Sequence, residues 1–454
     1  MIYAKIMHHI ERQIEAGTLK PGSKLPSIRS LSETFGCSNN TVIKAYSELE
    51  KKHLIYTVPK SGFYIVENMY PRNADAAINP VVDFLSAGPD KSIMPFRDYQ
   101  HCINQAIEIY KEDMFTYSDK QGLYSLRSEL ARHLQDLQVF TVPERICIVS
   151  GSQQALHLFV SLPFPNGKHD ICVEQPTHRS LIESIKLQGT KTFGVGITHE
   201  GIDLNHLESL FKRNTIKFFY TVSRFHNPTG FSYSNAQKRK IVELAQKYDV
   251  YIIEDDYMGD LDTNLKQDPM FAYDPSGRVI YTKSFSKVML PGLRLGLAVV
   301  PDSMKDQFLR TKFASDLHTP VLTQGALEIY LKSGMYAAHI LRMREIYSRK
   351  AELLQEAYRA HLPAEVTYSG SMSGFYSTIS LPGRLKAKNL VDHLRKQQVL
   401  VDDVRGMFLP EFERDTMIRL SVSQVDEALI HTGIRLIASE ITKLQLNKWD
   451  VKFV

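Results

Sequence analysis

The first residues of the chain have the apolar spacing of a helix. Ile2, Ile6, Ile10 and Ile14 recur every four residues, and Gly17 follows the last of them. This pattern predicts an amphipathic helix that ends near the glycine and buries one face.

Two further helices and a hairpin are predicted in the same part of the chain. Ser27 is a candidate N-cap of the second helix, which Gly36 would end, and Ser38 is a candidate N-cap of the third, which runs to about Lys52. Two strand-like segments separated by a Pro-Lys-Ser-Gly turn come next. Helices joined by a tight turn and followed by a hairpin with a basic tip are typical of a winged helix-turn-helix domain, predicted here over residues 1–66.

Beyond a short linker predicted at residues 67–80, the pattern changes. Strand-like apolar runs alternate with helical stretches, which predicts an α/β domain over residues 81–454 with a mostly parallel sheet. In such sheets ligands bind just beyond the carboxyl ends of the strands. The predicted strands are 146–150, 171–174, 217–222, 250–253, 279–283 and 295–300.

Composition and charge narrow the class of protein. The 454 residues are 43% hydrophobic and 23% charged, as in a globular protein of more than one domain. Of the net charge of +5, residues 1–66 contribute +4, from nine Lys/Arg against five Glu, which favours a nucleic-acid-binding head on a nearly neutral body. No apolar run approaches the ~20 residues of a membrane helix. Without a signal-peptide pattern, and with four scattered cysteines, we expect a cytoplasmic protein without a metal site.

One lysine lies in a pattern suited to covalent chemistry. Ser284 and Ser286 flank a phenylalanine, Lys287 follows, and Arg294 comes seven residues later. A lysine can form a Schiff base with an aldehyde, while hydroxyl groups and a guanidinium bind phosphate. The pattern therefore predicts a site for a phosphorylated aldehyde, although a single such lysine is usually a surface residue.

Three other motifs follow predicted strands. Gly151-Ser152-Gln153 opens a helix whose N-terminus attracts anions, Asn227 begins an Asn-Pro-Thr-Gly turn, and Asp255 ends an apolar run. Each of these alone is more often a cap, a turn or a solvated carboxylate. Their joint occurrence upstream of Lys287 favours a cofactor site.

These four motifs, in this order, resemble those of the fold-type I PLP-dependent aminotransferases, over roughly residues 81–445. The resemblance implies pyridoxal 5'-phosphate as cofactor, with Lys287 in the Schiff base, Asp255 at the pyridine nitrogen, and Asn227 with Tyr257 at the phenolic oxygen. The implied phosphate contacts are Gly151, Ser152, Gln153, Ser284, Ser286 and Arg294.

Other positions extend or depart from the aminotransferase pattern. Tyr117 matches a tyrosine that reaches the phosphate of a partner subunit, and Arg419 matches the arginine that binds a substrate carboxylate. His178 stands where an aromatic residue usually stacks on the cofactor ring, and it has a titratable edge. Arg224 would add a cation near the site.

The N-terminal part resembles the GntR family of winged-helix regulators, through Leu-Pro-Ser-Ile-Arg at 25–29 and Ser-Asn-Asn-Thr-Val at 38–42. The resemblance implies that the start of the third helix enters the major groove. Many members have arginine where this chain has Asn39, and asparagine pairs with adenine as arginine does with guanine. The alternative is a helical element for protein contact in which Ser38 and the asparagines only cap helices. The implied DNA contacts are Arg29, Ser38, Asn39, Asn40, Thr41, Lys44, Lys60 and Gly62.

A winged helix joined to an aminotransferase body resembles the MocR subgroup of GntR regulators. That resemblance implies a head-to-tail homodimer that binds double-stranded DNA and senses PLP, together with an amine or amino acid, through an aldimine at Lys287. Two alternatives are a working aminotransferase with an accessory head and a body used only for dimerisation. The last of these predicts loss of Lys287 or Asp255, and both are present.

Overall fold

The computed structural model describes most of the chain, namely residues 2–20, 22–52, 54–58, 61–65, 81–198, 200–264, 267–370, 374–383 and 385–450. Contacts divide the chain into two compact units, Met1–Asn79 and Pro80–Val454, which we call the winged-helix unit and the large unit. The predicted linker at residues 67–80 and the predicted DNA contact Lys60 lie outside the described residues.

The winged-helix unit contains three helices and a hairpin. Ser27 and Ser38 cap α2 and α3, because their side chains accept hydrogen bonds from the backbone N–H groups of Ser30 and Thr41; both predicted caps are therefore confirmed. Gly36 ends α2 in the left-handed conformation, with φ +58°. The elements are α1 Ile2–Glu15, α2 Ile28–Phe35, α3 Asn39–Lys51, and the antiparallel strands β1 Ile55–Val58 and β2 Gly62–Ile65.

The core of this unit follows the predicted apolar stripes with one exception. Ile6, Ile10 and Ile14 of α1 are buried against the buried face of α3. Ile2, predicted to belong to the same stripe, is 49% exposed because it is the first residue of the helix. The core therefore includes three of the four isoleucines predicted to face it.

The large unit is built on an eight-stranded sheet. Four of its seven strand pairings are parallel, which confirms the predicted mostly parallel sheet; β11 pairs antiparallel with β4 and β10, and β7 with β6. In spatial order its strands are β4 Ile146–Val149, β11 Gly296–Val299, β10 Val279–Ser284, β9 Tyr251–Asp255, β8 Ile216–Thr221, β5 Asp170–Gln175, β6 Thr192–Thr198 and β7 Gly201–Ile202.

Helices and two smaller sheets complete the large unit. Strands β12 Thr367–Tyr368, β13 Tyr376–Ser380 and β15 Met417–Ser421 form an antiparallel sheet, and β3 Val82–Asp83 pairs with β14 Val399–Leu400. The helices are α4 Phe96–Tyr110, α5 Tyr124–Gln135, α6 Ser152–Ser161, α7 Arg179–Gln188, α8 Leu204–Phe211, α9 Asn235–Lys247, α10 Asp302–Asp316, α11 Val321–Lys332, α12 Met335–His361, α13 Ala387–Lys396 and α14 Glu427–Asp450.

The described ranges contain neither a candidate membrane-spanning helix nor a candidate cluster of metal ligands. None of their helices combines the length and the apolar character that crossing a membrane requires. Nor do these ranges contain a group of three or more His, Cys, Asp or Glu side chains arranged to hold a metal ion.

Candidate functional site

A cavity of about 290 Å³ lies at the carboxyl ends of the parallel strands of the large unit. Strands β5, β8, β9 and β10 each end beside it, so residues far apart in sequence meet there. Ten of the residues predicted to bind the cofactor line this cavity, which we call the cofactor cavity. Its lining is Ser152, Gln153, His178, Ser180, Asn227, Asp255, Tyr257, Ser284, Ser286, Lys287 and Arg294.

One end of the cavity is suited to an anion. Gly151 caps α6 with φ +79°, and a Cβ at this position would lie 2.6 Å from Nη2 of Arg294, so the close approach of the guanidinium requires glycine. Arg294 Nη1 donates to the hydroxyl of Ser286 at 3.2 Å. A guanidinium, serine hydroxyls and a helix N-terminus are a donor set that suits a phosphate group.

Gln153 can contribute to this end through its backbone rather than its side chain. Its side-chain amide donates to the backbone carbonyl of Ser180 at 3.2 Å, so the amide is already engaged within the protein. What remains available is its backbone N–H group in the first turn of α6. Ser180 itself was missed by the sequence analysis, although it lies just after β5 like the motifs that were recognised.

Asp255 also lines the cofactor cavity and is almost fully buried. Its hydrogen-bond partners in the described part of the chain are two hydroxyl groups, that of Tyr220 at 3.0 Å and that of Thr282 at 3.2 Å. Burial raises the pKa of Asp255 to about 7, against the opposing effect of these hydrogen bonds. A buried carboxylate that lacks a cationic partner is well suited to a ligand group that brings a positive charge.

Lys287 and His178 line the middle of the cavity. The ammonium of Lys287 donates to the backbone carbonyl of Ala87 at 2.6 Å and lies 5.9 Å from the centre of the Tyr376 ring. Burial, with the nearby charges of Lys287 and Arg419, lowers the pKa of His178 to about 4. The imidazole is therefore uncharged at neutral pH, as a ring that stacks on an aromatic ligand should be.

Asn227 and Tyr257 differ in the hydrogen-bonding capacity that they leave free. The side-chain oxygen of Asn227 is buried without a partner among the described residues. The hydroxyl of Tyr257 donates to the backbone carbonyl of Phe225 at 2.9 Å. A buried amide oxygen without a hydrogen-bond partner is costly in a folded protein. Asn227 in particular is therefore suited to contact with a polar ligand.

Arg419 and Tyr117, like Gly151, are predicted site residues that are not among those lining the cavity. Arg419 Nη2 forms an ion pair with Asp402 Oδ2 at 3.1 Å and donates to the carbonyl of Leu85 at 2.9 Å, while its Nε is buried without a described partner. Tyr117 is 85% exposed and meets His318 edge to face.

Arg224, predicted to add a cation near the site, lies elsewhere. It forms an ion pair with Asp256 and lines a second cavity of about 540 Å³, so this prediction is wrong. The reason is local geometry: Phe225 has φ +53°, and the chain turns there, so that Arg224 and Asn227 face different cavities. Among the lining of the second cavity are also His133, Asp260 and Tyr336.

In the winged-helix unit the predicted DNA contacts lie on the exposed parts of α2 and α3. Asn39, Asn40 and Lys44 of α3 are exposed, and Lys44 Nζ lies 4.7 Å from the centre of the Tyr3 ring. Arg29 on α2 is exposed and paired with Glu33 at 3.3 Å.

The three remaining described contacts, Ser38, Thr41 and Gly62, also have local roles. Ser38 caps α3, and its hydroxyl lies 3.0 Å from that of Thr41. Gly62 opens β2 with φ +125°, and a Cβ there would lie 3.2 Å from Cε of Lys24, which brings a cation near the turn of the hairpin. Capping by Ser38 agrees with both interpretations of this unit, since a capped recognition helix still presents its first turn.

A helix-turn-helix unit followed by an aminotransferase-type fold, with a lysine in an anion-binding cavity, defines a two-domain class of protein. The chain belongs to the family that joins these two domains. The model of the bacterial regulatory proteins of the gntR family matches residues 2–65, and that of aminotransferase class I and II matches residues 93–437.

Individual relatives agree with this assignment. An uncharacterized HTH-type transcriptional regulator, YcxD of Bacillus subtilis, is 42% identical over 97% of this chain and 99% of its own length. The probable rhizopine catabolism regulatory protein MocR of Rhizobium meliloti is 25% identical over 98% of this chain and 94% of its own. The crystal structure of LysN, an alpha-aminoadipate aminotransferase of Thermus thermophilus complexed with N-(5'-phosphopyridoxyl)-L-leucine, has 26% identity and a TM-score of 0.74. It covers 81% of this chain and 93% of that one.

Proposed function

We propose that this protein is a DNA-binding transcription regulator that acts in the cytoplasm and whose large unit binds PLP and, with it, an amine effector. The observation that carries the proposal is the cofactor cavity, in which Lys287, Asp255 and phosphate-type donors meet within a chain that also has a helix-turn-helix unit. Relatives that are named transcriptional regulators support the DNA-binding part of the proposal. The similarity to LysN, which was crystallised with a phosphopyridoxyl compound, supports the PLP-binding part.

The residues of the cavity fit the cofactor. The phosphate would be held by Ser284, Ser286, Arg294 and the start of α6, where Gly151 leaves room for the guanidinium. The side-chain N–H group of Asn227, which lines the cavity, would donate to the phenolic oxygen. PLP, when bound, supplies an electrophilic carbonyl carbon and a ring that withdraws electrons.

Asp255 and Lys287 have separate tasks in this proposal. Asp255 would bind the ring nitrogen and hold a proton there, because a carboxylate whose pKa lies at about 7 is easily charged once a cation approaches. Tyr220 and Thr282 fix the orientation of the carboxylate through their hydroxyl groups. Lys287 supplies the amine that attaches the cofactor, and it must first leave the carbonyl of Ala87 and lose a proton.

Arg419 is the candidate contact for a carboxylate on the effector. It is held by Asp402 at 3.1 Å, and the two residues also exchange backbone hydrogen bonds, with N–H to O distances of 2.8 Å from Arg419 to Asp402 and 3.2 Å in return. An effector carboxylate would therefore compete with Asp402 for the guanidinium. Such competition gives effector binding a way to move the segment that carries Asp402.

A homodimer belongs to the same proposal. Tyr117 is 85% exposed, and the nearby Phe115 and Tyr124 are 73% and 59% exposed. Exposed aromatic residues in one short segment are typical of an interface. In a head-to-tail dimer, Tyr117 would complete the phosphate site of the partner subunit. Sedimentation of the purified full chain measures this state directly.

The proposal is tested by DNA retention with and without PLP. Fragmented genomic DNA is passed over the purified full chain, and the retained fragments are sequenced. We expect PLP to change the fragments retained by the wild type and by Lys388→Ala, an exposed-lysine control, but not those retained by Lys287→Ala. If every variant retains the same DNA fragments with and without PLP, the sensing role is contradicted.

The second candidate function is catalysis by the large unit. It is favoured by the presence of Lys287 and Asp255 in one cavity and by the similarity to LysN. Repeated turnover of an amino acid with a keto acid, in a protein that retains no specific DNA fragment, would favour the enzyme over the regulator.

A further inference from the structure

Ile43 is an exposed apolar residue on the helix that carries the candidate DNA contacts. Its side chain is 45% exposed. The other apolar residues of α3, all of which the structure describes, are Val42, Ala45, Tyr46 and Leu49, and these are buried in the core. The core does not use Ile43, and a β-branched side chain is slightly unfavourable in a helix. The fold therefore gives no reason for isoleucine here.

The position of Ile43 relates it to the candidate base contacts. It follows Asn39 by four residues, so the two side chains lie on the same side of α3, about 6 Å apart along the helix axis. This distance corresponds to about two base-pair steps of B-DNA. Lys44, the adjacent cation, lies over the ring of Tyr3 at 4.7 Å and so has a partner at the edge of the exposed face.

Asparagine and isoleucine, the two side-chain types on this face of α3, recognise the same kind of base pair. The amide of an asparagine pairs with N6 and N7 of adenine, and an apolar side chain contacts the C5-methyl group of thymine. Both groups are presented in the major groove by A·T pairs. The face formed by Asn39, Asn40 and Ile43 is thus complementary to A·T pairs, and it carries no arginine to bind guanine.

We propose that Ile43 determines sequence preference by contacting thymine methyl groups in the major groove, so that the operator half-site has an A·T core. This inference rests on the proposed function in one respect, namely that the winged-helix unit binds DNA through α3. It differs from a phosphate contact because an uncharged side chain adds no dependence on salt.

The experiment replaces thymine by uracil, which removes the methyl group and leaves base pairing and phosphates unchanged. A duplex is first selected from a random pool with the full chain. Its dissociation constant is then measured by fluorescence anisotropy before and after every dT is replaced by dU. For the wild type we expect about fourfold weaker binding per contacted methyl group, the ratio for one buried group of that size. Ile43→Ala should bind both duplexes equally, and Ile43→Val should keep part of the difference.

Two controls make the result specific. Leu187→Ala removes an isoleucine-sized side chain that is 80% exposed in the large unit, and it should behave as the wild type. Ile43→Ala should leave the slope of affinity against salt unchanged. A selected core rich in G·C pairs, or a wild type that binds the dU duplex equally well, overturns the inference while DNA binding stands. A chain that retains no duplex from the pool overturns the DNA-binding proposal as well.

Discussion

The cofactor cavity and the second cavity of the large unit both contain buried charges, but they neutralise them differently. In the second cavity, Asp260 accepts a short hydrogen bond from the ammonium of the fully buried Lys283, and Arg224 pairs with Asp256. In the cofactor cavity the described partner of the Lys287 ammonium is a backbone carbonyl. The first arrangement is internally complete, whereas the second leaves charge for a ligand.

Asp255 and Asp256, which are adjacent in sequence, also differ in whether a cation of the protein neutralises them. Burial raises the pKa of both Asp255 and Asp256, but the guanidinium of Arg224 brings the pKa of Asp256 below its ordinary value. Among the described residues, Asp255 has hydroxyl partners and no cation, and its pKa stays at about 7. Perturbed groups without an internal counter-charge are characteristic of functional sites, so the difference separates structural from ligand-binding charge.

The largest expected effect is on the free energy of unfolding, and it comes from breaking the ion pair between Lys283 and Asp260 at the second cavity. Lys283→Met leaves Asp260 buried with His133 as its remaining described partner, at 3.0 Å, and should lower the free energy of unfolding by roughly 3–5 kcal/mol. Lys287→Met removes a partly buried ammonium from a carbonyl and should cost less than about 1.5 kcal/mol. Urea unfolding of both cofactor-free proteins, followed by near-ultraviolet circular dichroism, measures the difference.

The visible absorbance of added PLP provides the matching control. Lys287→Met should abolish covalent attachment of the cofactor, while Lys283→Met should retain it in the fraction that folds. Equal destabilisation by the two substitutions would show that the cavities do not differ in the way described.

The next effect concerns pH in the cofactor-free protein. Asp255 has a pKa of about 7 when folded against 3.8 ordinarily, so the folded state binds the proton more tightly and its stability falls as pH rises from about 4 to 7. His178 has a pKa of about 4 against 6.5, so its contribution falls in the opposite direction, as pH decreases from about 6.5 to 4. The two contributions oppose each other in the wild type.

Single substitutions separate these contributions. The unfolding free energy of Asp255→Asn minus that of the wild type should rise with pH, by up to about 1.4 kcal/mol per pH unit between pH 5 and 7. The same difference for His178→Gln should fall over the lower part of this range. Urea titrations at three pH values suffice, and parallel curves for both variants would contradict the assigned charges.

The sequence predicted those features that depend on short segments. Ser27 and Ser38 are caps because capping needs only the residue and its first helical turn. The four cofactor motifs were found because they follow apolar strands, whereas Tyr117 and the roles of the residues came from the resemblance to aminotransferases. Strand β6 was missed, since Gly194 and Gly196 interrupt its apolar pattern.

Features that depend on distant partners could not be predicted in this way. The direction of Arg224 follows from the left-handed conformation of Phe225, and the pKa of Asp255 depends on Tyr220, 35 residues away. The pairing of Asp402 with Arg419 likewise requires two segments to come together as backbone partners. Sequence motifs therefore identified candidate groups, but the state of each group depends on the tertiary structure.

The smallest expected effect concerns Arg419, a charge that has an internal carboxylate partner in Asp402. Asp402→Asn should strengthen the binding of L-alanine to the PLP-loaded protein by roughly fivefold, about 1 kcal/mol for an ion pair that solvent reaches. Ethylamine, which has no carboxylate to compete with Asp402, should bind with unchanged affinity. Spectral titration of the bound cofactor measures both.

Asp403→Asn is the matched control, because Asp403 is the next residue and pairs with Arg405 at 2.6 Å instead. It should leave both affinities unchanged. If Asp402→Asn weakens both amines to the same extent, Asp402 serves to hold Arg419 in place rather than to compete with an effector. Arg419 would then resemble the paired charges of the second cavity, and recognition of an effector carboxylate would have to come from another group.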